Sequence, residues 1–434
     1  MDDHTVGGIA GTQAKITPSL ACNNDCRFCY NRGQKELTRP LTEERVRALV
    51  DEAAATSPSQ LNLIGGEVTI LPYFLRVLRY AQGRFGALSV NTNGRRFSDA
   101  AFAREAVDAG LTEVDISLHG ATAAVHDYVS RAPGAWAETT AGLRNLTALR
   151  GELGQPSVSV TTIVLDWNVH ELAAIGTELV ALGVPSWRIK WAYGALGGHA
   201  EGDPAEYIVR YEEALAHVRA ALVAHGATLH VIVHDVPVCL LGDLLAYSTV
   251  HDRHTVARYG DDGLEEEGSV LGRWGETSRV CDGCVARDQC CHPSPAYVRR
   301  FGDAELTALT AESLAEATAR AAAFRREVEG KPRAAGSGAG RSMERPEVRD
   351  AFARMDVAAR EDRWAEVRAQ ALRVLALAPE DAQAARMRAV AEAHLLDRMA
   401  HAAEARGEHG RARQLRRLLA MHYTEQDESR RAAR

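Results

Sequence analysis

Between residues 14 and 235 the chain alternates short apolar runs with longer stretches whose apolar residues recur every three or four positions. The runs are AKITPSLA (14–21), QLNLI (60–64), ALSVNT (87–92), EVDISL (113–118), SVSVTTIVL (157–165) and SWRIKWA (186–192). LTEERVRALVDEAA and WNVHELAAIGTELVALG typify the stretches between. This change of period predicts strands each followed by a helix. Repeated at intervals of roughly 25–45 residues, it builds βα units around a parallel sheet. Six units are too few for a closed eight-stranded barrel. The expected fold class is therefore α/β, a curved and open partial (β/α)6 TIM-like barrel over residues 1–235.

The remainder of the 434 residues calls for further domains. Residues 236–330 are rich in Cys, Gly, Asp and His with little periodicity, and such a stretch needs a metal to order it. KPRAAGSGAGRS places a flexible linker at 331–344. Residues 345–425 read as all-helical, broken at Pro379 and at Gly407 and Gly410, with a LALAPED turn that resembles a tetratricopeptide-like repeat. The tail 426–434 is expected to be disordered. No run of about 18 apolar residues predicts a membrane span. The first residues show no basic-then-apolar leader pattern, so the cytoplasm is the expected location. A net charge of −7 provides no electrostatic case for nucleic acid.

Eight cysteines stand at 22, 26, 29, 239, 281, 284, 290 and 291. A cytoplasmic chain of this size needs no disulfides, and two tight groups with a long gap suggest two metal sites. In the first, Cys22-Asn-Asn-Asp-Cys26-Arg-Phe-Cys29 brings three thiolates within eight residues. Three thiolates can bind three corners of a cubane iron–sulfur cluster and leave the fourth iron to an exogenous ligand. A zinc knuckle is the alternative.

This C-x3-C-x2-C spacing, with an aromatic before the last Cys, resembles the signature of the radical S-adenosylmethionine (SAM) superfamily. Three further motifs support the resemblance, each at the end of an expected strand, where parallel barrels place their active sites. Gly65-Gly66-Glu67 is similar to the family's GGE, although Val68 follows where Pro is commoner. Asn91-Thr92-Asn93-Gly94 is similar to its T-N-G turn. Ser117-Leu118-His119-Gly120 stands where relatives hold the SAM carboxylate with a small polar residue and a downstream Arg, here Ser117 and Arg131. The resemblance implies that Cys22, Cys26 and Cys29 hold a [4Fe–4S] cluster. It also implies SAM contacts from Phe28, Tyr30, Gly65, Gly66, Glu67 (to the ammonium), Thr92 and Asn93, and a ribose contact from Thr162 or Asn168.

Cys239 with Cys281-Asp-Gly-Cys284 and Cys290-Cys291 resembles the auxiliary-cluster extension called a twitch domain. The longer SPASM extension would need a further cysteine where Ser294 stands. Four thiolates, Cys239, Cys281, Cys284 and Cys290, would close a second [4Fe–4S] cluster, with Cys291 spare or the true fourth ligand; a structural zinc site is the alternative. His119, His126, Asp127, Lys190 and Tyr193 lie near the expected mouth and are candidate substrate groups. His234, His251 and His254 read as loop residues.

The implied activity is reductive cleavage of SAM to a 5′-deoxyadenosyl radical that abstracts hydrogen from a substrate carbon. Electrons would come from a reductase such as flavodoxin or ferredoxin. The expected outcome is oxidation or cross-linking of a peptide or protein. Radical oxidation or rearrangement of a small molecule, such as a sugar or nucleotide, is the second reading. A metal-stabilised helical-repeat scaffold without catalysis is the third.

Overall fold

The computed structural model describes residues 13–29, 31, 39–56, 58–192, 207–248, 255–260, 263–269 and 278–330. The chain divides into two units, Met1–Arg333 and Ala334–Arg434. The linker, C-terminal helices and tail expected from the sequence lie outside the described residues, as do Tyr30, Tyr193, His251 and His254.

In the first unit, strands and helices alternate as β1 (Gln13–Ser19), α1 (Glu43–Ala55), β2 (Gln60–Gly65), α2 (Phe74–Ala81), β3 (Ala87–Thr92), α3 (Ala100–Asp108) and β4 (Glu113–Ser117). Two helices follow, α4 (Ala123–Ser130) and α5 (Ala135–Leu153), then β5 (Ser157–Val164), α6 (Leu172–Ala181), β6 (Ser186–Trp191), α7 (Tyr211–His225) and β7 (His230–His234). Side-chain caps set several helix starts: Thr42, Asp99 and Thr122 accept from first-turn N–H groups of α1, α3 and α4.

Strands β1 to β7 pair in parallel and in sequence order. Right-handed crossovers that all advance one way along a sheet put every helix on the same face. That geometry dictates the strand pattern. Ala14, Ile16, Leu61, Leu63, Leu88, Val90, Val114, Ile116, Val158, Val160, Trp187 and Ile189 are buried. The residues between them are polar: Lys15, Asn62, Ser89, Asn91, Asp115, Ser159, Thr161 and Arg188. A parallel sheet covered on both faces reads as continuous apolar runs. Here the alternation marks one face under helices and one polar, concave face.

The polar side chains of that inner face bond across the strands. Gln13 Nε2 donates to Gln60 Oε1 at 2.5 Å and Gln60 donates to Glu113. Asn62 Nδ2 donates to Asn91 Oδ1 at 2.8 Å, and Asn91 Nδ2 to Asp115 Oδ2 at 3.3 Å. Asp115 also accepts from Ser159 and Thr161 and pairs with Arg188 at 3.2 Å.

The open parallel α/β architecture expected from the sequence is present, with two differences. A seventh strand, β7, carries only Val231, Ile232 and Val233 between two histidines, too short a run to stand out. The cysteine-rich stretch also adds to the sheet. It begins with α8 (Val238–Leu241), and β8 (Thr255–Gly260) then runs parallel to β1 with β9 (Gly263–Ser269) antiparallel beyond it. Two helices close the unit, α9 (Pro295–Phe301) and α10 (Ala311–Glu329), the latter setting Phe324 edge-on to Tyr247 at 6.2 Å. Residues 236–330 are thus continuous with the barrel, and β8 shields an edge of β1 that would otherwise expose unpaired backbone.

Trp187 is fully buried under the helices, and its indole N–H donates to Thr162 Oγ1 at 2.9 Å. Trp187→Ala is expected to cost about 3–5 kcal/mol of stability, read as a lowered urea midpoint. An unchanged midpoint would mean that this part of the sheet is not packed as described.

Candidate functional site

The three-cysteine loop leaves β1 at Ser19 and crosses the C-terminal ends of the strands. Its path is set by three neighbours. The first is the turn after β2, where Gly66 N donates to Ser19 O at 2.9 Å and Glu67 N to Ala21 O at 2.8 Å. A Cβ at Gly66 would overlap the Leu20 and Ala21 carbonyls, and one at Gly65, whose φ is +141°, would overlap Ser19 O. The second neighbour is the turn after β3. Asn93 Nδ2 donates to Asn23 Oδ1 at 2.6 Å, and Arg95 donates to Asn23 O and Asn24 Oδ1 at 2.6 and 2.8 Å.

The third is the C-terminal end of α4. Its last carbonyls lack helical partners, and the loop supplies them: Asp25 N to Ser130 O and Arg27 N to Val129 O, both 3.0 Å. Arg27 Nε adds a bond to Tyr128 O at 3.0 Å and lies 4.0 Å over the Tyr128 ring, a cation where the helix dipole favours one. Within the loop, Asn24 N donates to Cys22 Sγ at 3.4 Å and Cys29 N to Cys26 O at 3.1 Å. Arg131, left-handed at φ 51°, pairs with Asp25 at 3.5 Å. Ser117 is half-buried at the end of β4.

Three residues expected to touch SAM also make hydrogen bonds within the protein. Glu67 is 1% exposed; Oε1 accepts from Thr69 N, Thr69 Oγ1 and Thr92 Oγ1, and Oε2 from Asn93 N at 2.6 Å. Burial pushes its carboxyl up, and these donors pull it back. Glu67 therefore braces the β2 turn against the β3 turn. Asn168 is fully buried, donating to His119 O and Ile163 O and accepting from Leu165 N, each at 2.9 Å. Thr162 is likewise buried between Leu118 O and the Trp187 indole. Thr162 and Asn168, read for the ribose, both make hydrogen bonds inside the core.

Beside the loop, Phe28 stands edge-on to His119 with centroids 4.9 Å apart. His119 Nδ1 accepts from Ile163 N at 3.3 Å, and His126 Nδ1 from His119 N at 3.0 Å. Burial depresses both imidazoles to about 3. They are neutral acceptors, which disfavours them as proton donors. Asp127 is taken up by the N–H groups of Gly134 and Trp136 at 2.7 Å, where α5 begins. Lys190 pairs with Asp235 at 3.5 Å.

The second cysteine group lines one cavity with Pro237, Val238 and His292: Cys239, Cys281, Cys284 and Cys290 face it. Cys290 Sγ accepts from Val238 N and His292 N at 3.5 and 3.4 Å, and Cys284 Sγ from Leu309 N at 3.3 Å. A hydrogen bond from Cys291, helped by those two N–H groups, lowers Cys290 to about 6 against its burial, whereas burial raises Cys239 to about 11. Cys290, not Cys291, is the fourth lining thiol. Among the described residues no three His, Cys, Asp or Glu side chains stand close enough to grip a single metal ion. A larger cleft at the opposite end of the sheet, lined by Gln82, Leu88, Asp108, Thr112 and Gln155, carries a lone carboxylate.

The profile of the Radical SAM superfamily matches residues 16–178, the span of the loop, the glycine turn and both histidines. Over that span the chain is similar to the radical SAM superfamily. The cofactors of that superfamily are a [4Fe–4S] cluster and SAM, and the three thiols of one backbone-held loop suit the cluster. Mycofactocin maturase MftC of Mycobacterium ulcerans is 32% identical over 154 residues, 36% of this chain and 40% of that protein. A probable GTP 3′,8-cyclase of Thermococcus kodakarensis is 31% identical over 124 residues, 28% of this chain and 40% of that protein. The chain thus spans about 40% of the length of these curated relatives. Among solved structures, anSMEcpe with bound AdoMet and Cp18Cys peptide overlaps 74% of this chain and 99% of that one, at 13% identity and a TM-score of 0.48.

Two outcomes follow from the site. Glu67→Gln sets an amide N–H₂ against a donor, and Gly66→Ala drives a methyl into the loop carbonyls. Both are expected to lower the melting temperature and iron retention together, measured by calorimetry and iron assay; full iron retention in both would contradict the bracing role. The depressed histidines also set a pH dependence. Unfolded histidines take up protons below about 6.5, whereas His119 and His126 do so only near 3. Stability is therefore lost as pH falls through that window. His126→Asn should flatten the slope of urea midpoint against pH, and an unaltered slope would count against a buried neutral imidazole.

Proposed function

We propose that this chain is a radical SAM enzyme that modifies a peptide or protein by oxidation or cross-linking. The observation that carries the radical SAM part is the Cys22–Cys29 loop held over the sheet by the glycine turn, Asn93 and Arg95, and α4. When bound there, the cluster supplies the electron that cleaves SAM to methionine and a 5′-deoxyadenosyl radical. The chain's own contribution is placement. Cys22, Cys26 and Cys29 hold the cluster, and Gly65 and Gly66 bring backbone close to the cofactor. Thr92 and Asn93 keep that backbone in place through Glu67. Ser117 and Arg131 are the candidates for the SAM carboxylate, and Phe28 and Tyr30 for its adenine.

Cys239, Cys281, Cys284 and Cys290 form the auxiliary site, in a twitch-like extension. Four thiols around one cavity suit a cluster, with a structural zinc site as the alternative. A second cluster able to take an electron from substrate suits net oxidation. The maturases among the relatives favour a peptide substrate over the small molecule suggested by the cyclases. A flavodoxin or ferredoxin would donate electrons in the cytoplasm. No helix among the described residues is long and apolar enough to cross a membrane.

Anaerobically reconstituted protein with dithionite should convert SAM to 5′-deoxyadenosine and carry about eight irons per chain. Replacing Cys22, Cys26 and Cys29 with Ala should abolish the cleavage. Cys281→Ala/Cys284→Ala should retain about half the iron. Cleavage that survives the triple replacement would overturn the assignment. Stoichiometric zinc in protein prepared without oxygen would overturn the auxiliary cluster alone.

A further inference from the structure

Among the described residues the concave face holds more cationic than anionic groups. Lys15 on β1, Arg188 and Lys190 on β6 and Arg258 on β8 face Glu113, Asp115 and Asp235. The carboxylates are largely spoken for. Asp115 accepts from Asn91, Ser159 and Thr161 and pairs with Arg188. Asp235 pairs with Lys190 and Glu113 accepts from Gln60. Lys15 is left with no hydrogen bond or ion pair among the described residues. Its cross-strand partner Asn62 leaves Oδ1 buried without a donor. A partly buried ammonium without an ion pair is costly. Burial first, then Lys190, Arg258 and Arg188, push the Lys15 amine down to about 8, with Asp115 opposing them.

Position adds to chemistry. Lys15 precedes Ser19 by four residues, which at about 3.3 Å per residue sets it about 13 Å below the cysteine loop. Groups there lie beneath whatever reaches the loop through the mouth, and the floor combines an unmatched cation with an unmatched acceptor.

We propose that Lys15, with Arg188 and Lys190 beside it and Asn62 Oδ1 as acceptor, forms a site on the barrel floor for a carboxylate of the peptide substrate. The assignment rests on the peptide-modifying reading. The ammonium and guanidinium meet the carboxylate, and Asn62 accepts an adjacent peptide N–H. A C-terminal carboxylate and an Asp or Glu side chain share this chemistry.

The test uses cluster-loaded wild-type protein under anaerobic conditions. Limiting N-hydroxysuccinimidyl acetate is added near pH 8, and acetylation of Lys15 relative to Lys331 is followed by peptide mass spectrometry. N-Acetylglycine represents a chain terminus, N-acetylaspartate α-amide a side chain, and N-acetylglycinamide the uncharged control. Lys15 should label readily in the free protein, and one or both acids should slow it several-fold while the amide does not. The more protective acid identifies the source. Failure of Lys15 to label in free protein, no protection by either acid, or equal protection by the amide overturns the proposal. Formation of 5′-deoxyadenosine by the same preparation reports separately on the SAM reading, so the two can fail independently.

Discussion

Two missing side chains hold this site together. The turn after β2 lies so close to the backbone leaving β1 that a methyl group at Gly65 or Gly66 would occupy the space of the Ser19, Leu20 or Ala21 carbonyl oxygens. Because there is none, Gly66 and Glu67 donate directly to that backbone, and the cysteine loop starts from a fixed point. Every other contact to the loop, from Asn93, Arg95 and the end of α4, presupposes that start. The thiols are then presented by a segment whose backbone is bonded on three sides, the rigidity a cofactor site requires.

Glu67 extends the same logic inward. A carboxylate deep in a parallel α/β fold is expensive unless donors surround it. Here four do, and they belong to two successive strand-end turns. The cost of burying the charge is offset by joining the glycine turn to the Thr92-Asn93-Gly94 turn, so the loop and its supports act as one piece.

The sheet resolves a different tension. The crossover helices between β1 and β7 lie on one face, so the other must be lined by side chains that tolerate water or a ligand. A ladder of amide, hydroxyl and carboxylate groups centred on Asp115 fills it. Adding β8 to the edge of β1 brings the cysteine-rich stretch into the same unit as the barrel. The Cys239 to Cys290 cavity therefore belongs to the compact unit that carries the first cysteine loop.

Much of this was legible in the residues themselves. The change between period two and period three to four marked six βα units, because each strand must bury one face and each helix one stripe. The cysteine spacings, GGE and T-N-G turns marked the site, because cluster chemistry and close backbone approach demand particular residues at short range. The seventh strand and the β8–β9 hairpin were not legible, since short strands gain their stability from partners far away in sequence. Nor was the hydrogen bond to Cys290 Sγ from Val238 N, which arrives from a segment 52 residues away. The same limit applies to the internal hydrogen bonds of Glu67, Thr162 and Asn168, which form with neighbours distant in sequence. Lys15 shows it most plainly, because a lysine in a strand carries no signal until folding places it on the inner face with no ion pair among the described residues.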